Sequence, residues 1–141
     1  MASPAAESWS FCIDVASRVV IAIVGLSWFL VAVYVRGALS AELEFTQQRG
    51  PSLSIGEWIL LVQMIAGLLL VALACSPRTV LNITVIRWSF VPVVLLVEVG
   101  LAFIAYHWGY ELYRDVPALG AIMLGIVLGF AAMRLLKPRP T

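Results

Sequence analysis

The sequence predicts an all-α membrane protein, a bundle of four transmembrane helices with the N and C termini cytoplasmic. Composition is the first observation behind this. The 141-residue chain is 62% hydrophobic and 12% charged, and its mean hydropathy of +1.02 is far above that of a chain that folds in water. The second is the presence of four apolar stretches near the length of about 20 residues that crosses a bilayer. The third is an asymmetry of Lys and Arg in the short flanking segments, which sets orientation. The whole chain, residues 1–141, reads as a single integral membrane domain.

The first span is expected over about 11–35, from Phe11 to Val35. It lacks the basic leader of a signal peptide and carries Asp14 and Arg18, so it is read as a retained helix although Ala38-Leu39-Ser40 resembles a cleavage site. An outer loop over 36–56 follows, punctuated by Gly37, Gly50, Pro51 and Gly56. Within it, Leu39 to Gln48 reads as a short amphipathic surface helix.

The second span, about 57–75, opens on Ser54-Ile55-Gly56-Glu57, the spacing of a capping box, which gives Glu57 a structural task. It ends at the turn Ser76-Pro77-Arg78. The third span, about 83–107, follows Asn82, a residue type that caps helix starts. Pro92 lies inside it and is read as a helix kink, because its ring removes the bond to the Trp88 carbonyl. The fourth span, about 117–136, starts at Pro117, a favoured first-turn position for proline.

Orientation follows from counting cations. Arg78, Arg87, Arg134, Lys137 and Arg139 flank one side, against Arg36, Arg49 and Arg114 on the other. Both termini are therefore expected on the cytoplasmic side, with the bacterial inner (plasma) membrane as the expected location.

Few residues inside the spans carry chemistry. Glu98 is the most informative, because a carboxylate near the middle of a span costs roughly 2.5 to 3.5 kcal/mol and needs a partner, a proton or a task. Counting inward at about 1.5 Å per residue puts Ser27, Gln63, Glu98 and Gly125 at one level, roughly 9 to 14 Å from the outer surface. Ser27, Gln63 and Glu98 are thus expected to form an intramembrane polar layer. Ala121, Gly125 and Gly129 recur every fourth residue, a small-xxx-small stripe suited to close helix packing.

Two further groups lie at the span ends. Asp14 and Arg18 are one turn apart, and Arg87 enters its helix at a similar depth, which suggests a cytoplasmic ion cluster or a lipid contact. On the outer side, Tyr106, His107, Trp108 and Glu111 fall in an aromatic-rich interface segment. A single histidine with one glutamate four residues on is a poor metal site, and Cys12 and Cys75 have no metal-ligand spacing. No metal or cofactor is expected.

A net charge of +1 gives no field for nucleic acid. No phosphate-binding loop, nucleophile elbow or paired carboxylates occur, so an enzyme is not the expectation. The partners expected are the lipid bilayer and other membrane subunits or a homo-oligomer. The function expected is that of a small accessory or structural subunit that packs with a larger membrane assembly or self-associates. The alternative is a small oligomeric transporter or channel in which Glu98 responds to protons or cations.

Overall fold

In hydrocarbon every backbone N–H and C=O must be satisfied within the chain, and a helix does this segment by segment. The computed structural model describes residues 4–45, 55–109 and 115–138, with side chains described over 5–41, 56–106 and 118–138. It comprises α1 (Pro4–Phe45), α2 (Ile55–Cys75), α3 (Arg78–Leu81), α4 (Thr84–Gly109) and α5 (Asp115–Leu136). All but α3 are long and apolar enough to cross a membrane, which gives four spans and makes this an integral membrane protein.

The main departure from the expected boundaries is in α1, which is 42 residues long and runs on through Arg36 and Gly37 to Phe45. A lone glycine inside a helix costs about 1 kcal/mol. The helix formers Ala38, Leu39 and Ala41 follow at once, so Gly37 does not end the helix. The first part of the expected surface helix, up to Phe45, is therefore a continuation of α1, and Thr46 to Gln48 lie outside the described residues. At about 1.5 Å per residue α1 rises roughly 63 Å, twice the hydrocarbon thickness, and so extends beyond the bilayer.

The turn after α2 is also more structured than a simple breaker. Val80 and Leu81 N–H groups donate to Pro77 O, and Asn82 N–H donates to Arg78 O at 3.0 Å, forming the single turn α3. Asn82 thus closes α3, while α4 begins at Thr84. Leu81 fastens the turn into the core, where it is 2% exposed.

Around the bundle the order is α2, α1, α5, α4, because α1 packs on α2 and α5, and α4 packs on α5 and α2. Ile21, Leu70, Leu73, Val97 and Leu128 are fully buried between these helices. Leucine and isoleucine side chains such as Leu26, Leu30, Ile59, Leu68 and Ile126 face outward, as lipid requires. Lipid tails are as apolar as these side chains, so close packing and polar contacts decide how the helices associate.

α1 and α2 bring their backbones close together at Gly25 and Gly67. A methyl built on Gly25 would lie 2.7 Å from Gly67 O, and one on Gly67 would lie 2.8 Å from Gly25 O. Neither backbone can yield, so both positions require glycine.

Candidate functional site: the α4–α5 groove

The residues expected to share one polar layer occupy two sides of α4. On the first side, Trp28 Nε1–H donates to Gln63 Oε1 at 2.8 Å, and Gln63 Nε2–H donates to Leu96 O at 3.4 Å. These contacts tie α1, α2 and α4 together. Gly100 makes room for them, because a Cβ there would run into the Trp28 ring. Ser27, the neighbour of Trp28, points out of the bundle, so α1 contributes an indole N–H at this level in place of a hydroxyl. Sequence reading missed Trp28 because an indole counts as an apolar filler until its partner is known.

Glu98 is on the second side, against α5. Successive residues on a helix turn by about 100°, which places Glu98 nearly opposite Leu96 and Gly100 on α4. Its carboxylate lies over the small-residue stripe of α5. A Cβ on Gly125 would sit 2.8 Å from Glu98 Oε2, and one on Gly129 would sit 3.5 Å from Glu98 Oε1. Ala121, one turn earlier, is buried in the same contact surface. The glycines therefore do not serve a close crossing of backbones. They hollow α5 so that a carboxyl group fits between it and α4.

Glu98 also lines a groove of about 980 Å³ between α4 and α5, walled by apolar side chains including Val91, Leu95, Phe130 and Met133. Among the described residues, Glu98 Oε1 is buried and accepts no hydrogen bond. A buried acceptor without a donor costs roughly 1 to 3 kcal/mol. The groove thus holds an unmet acceptor at mid-span, flanked by hydrocarbon. Pro92 faces outward on α4, and α4 continues as one helix on both sides of it.

At one end of the bundle the charges are paired differently from the expectation of Asp14 with Arg18 and Arg87. Asp14 Oδ2 accepts from Arg78 Nε at 3.0 Å and from Arg78 Nη2 at 2.5 Å. Arg78 Nη1 reaches Leu135 O at 2.8 Å, so this one guanidinium links α1, α3 and the end of α5. Arg134 Nε stands 3.6 Å from Asp14 Oδ1, an ion-pair distance that is too long for a hydrogen bond. Arg18 instead donates to Ala74 O at 2.7 Å and Ser76 O at 2.5 Å, capping the carbonyls that the end of α2 leaves open. The tertiary fold overrides the i,i+4 pairing because Arg78, carried on the turn α3, offers Asp14 two N–H groups at once.

Arg87 lines the α4–α5 groove with Lys137, and neither side chain has a hydrogen bond or ion pair among the described residues. At the opposite end, Tyr106 is largely exposed. The side chains of His107 and Trp108, and the whole of Glu111, lie outside the described residues. Among the described residues no three His, Cys, Asp or Glu side chains cluster to hold a metal, and Cys12 and Cys75 are free and exposed.

No protein-family model, no curated protein and no solved structure matches this chain.

Proposed function

We propose that this protein is a small accessory or structural subunit that packs with a larger membrane assembly or with copies of itself, and that the α4–α5 groove is its docking face. Glu98 Oε1, which accepts no hydrogen bond among the described residues and lies over the glycines of α5, carries this reading. An acceptor in hydrocarbon gains from any donor that a neighbouring helix brings, by about 0.6 to 2 kcal/mol. The apolar walls of the groove suit a helix surface. The placement of Arg78, Arg87, Arg134 and Lys137 at one end of the bundle supports cytoplasmic termini.

Mass measurement of the protein extracted in native lipid nanodiscs tests the proposal. Wild type is expected to exceed the mass of a single chain, and Gly125→Leu, which fills the notch beside Glu98, is expected to reduce it to a single chain. A wild type that is already a lone chain overturns the proposal.

One observation favours a transporter as a second reading: the groove that Glu98 lines continues to Arg87 and Lys137 at the end of the bundle. That reading expects cation or proton flux in proteoliposomes that disappears in Glu98→Gln. The accessory reading expects no flux from either protein.

A further inference from the structure

We infer that the Arg87–Lys137 end of the α4–α5 groove binds the phosphate of an anionic phospholipid, whose acyl chain enters the groove beside Val91 and Leu95, short of Glu98. This site does not depend on what meets Glu98 deeper in. Three described cations at this end of the bundle have partners within the chain: Arg18 on the α2 carbonyls, Arg78 on Asp14, and Arg134 beside Asp14. Arg87 and Lys137 have none among the described residues, and both line one groove.

Their positions suit a headgroup. Arg87 is in the first turn of α4, and Lys137 immediately follows α5. Long cationic side chains at helix ends lie along apolar surface and present their charge at the interface. Trp88, beside Arg87, is 63% exposed and also lines the groove, as an indole at the headgroup level does.

The length suits an acyl chain. From Arg87 to Leu95, both in the groove wall and on the headgroup side of Glu98, α4 rises roughly 12 Å, most of the half-thickness of about 15 Å that one leaflet contributes. Side chains such as Val91, Leu95 and Met133 offer a hydrocarbon lining throughout. Two cations without a nearby carboxylate partner select an anionic headgroup over a zwitterionic one, at about fivefold in affinity per cation.

The experiment uses the full chain in mild detergent, titrated with phosphatidylglycerol, phosphatidylcholine or inorganic phosphate, with bound lipid read by native mass spectrometry and Tm in parallel. Phosphatidylglycerol is expected to be retained and to raise Tm, with no effect from the other two. Combining Arg87→Gln with Lys137→Gln should weaken its binding by about 25-fold. The charge-preserving pair Arg87→Lys and Lys137→Arg should keep it, and Arg36→Gln, far along α1, should change nothing. Equal binding of phosphatidylcholine, an equal loss in Arg36→Gln, or a double variant that folds and binds as wild type would each overturn the inference. So would a protein segment found seated between Arg87 and Lys137.

Discussion

The α1–α2 contact and the α4–α5 contact both depend on glycine, and they use it for opposite ends. Between α1 and α2, Gly25 and Gly67 bring two backbones together, and the adjacent polar groups satisfy one another through Trp28 and Gln63. Between α4 and α5, Gly125 and Gly129 give space to a side chain, and the carboxyl group they admit keeps a buried oxygen without a donor among the described residues. The first contact is complete in itself. The second leaves a buried acceptor unmet among the described residues, which is why the proposed docking face is placed there.

The comparison is easiest to break at the glycines. Gly25→Ala and Gly67→Ala should each lose about 1 to 3 kcal/mol of stability, because the new methyl meets opposing backbone. Reversible unfolding in mixed micelles would measure this. If either variant were as stable as wild type, the α1–α2 crossing would not be the tight contact described here.

Asp14→Ala comes next. It removes the acceptor of two Arg78 hydrogen bonds and the partner of Arg134, and the site is partly exposed, so a loss of about 1 to 2 kcal/mol is expected in the same assay. Arg18→Ala, which acts on different carbonyls, should add to it without coupling. Strong coupling between the two would return Arg18 to the Asp14 pair that its spacing suggests.

Gln63→Leu leaves the Trp28 N–H without its acceptor and should cost about 0.6 to 1.7 kcal/mol. A double-mutant cycle with Trp28→Phe should recover most of that as coupling. The smallest effects belong to the α4–α5 side. Gly125→Ala presses only on the movable end of Glu98 and should cost less than about 1 kcal/mol in the isolated chain. Glu98→Gln should be nearly neutral there, since Oε1 loses no bond within the chain. A large loss in either would mean that Glu98 holds the bundle together, and would make the two contacts alike.

The number and type of spans were legible in the sequence, because about 20 apolar residues between breakers have few alternatives in a bilayer. Boundaries were less so. Gly37 marks a stop in composition, but one glycine is too weak a penalty to end α1 there. Counting by depth would also have paired Gly25 with Gly67, each about ten residues or roughly 15 Å inside its expected span. Azimuth was not. Depth counting put Glu98 and Gln63 at one level but could not tell that they lie on different sides of α4.

The sequence by itself therefore determined that this chain enters a membrane as four helices, since that follows from hydropathy and the fixed rise of a helix. Only the tertiary structure decided that Trp28 meets Gln63, that Arg78 takes Asp14 from Arg18, and that Glu98 rests on the glycines of α5. Helix rotation and neighbour order settle these pairings, and they depend on contacts between distant segments that periodicity within one span does not encode.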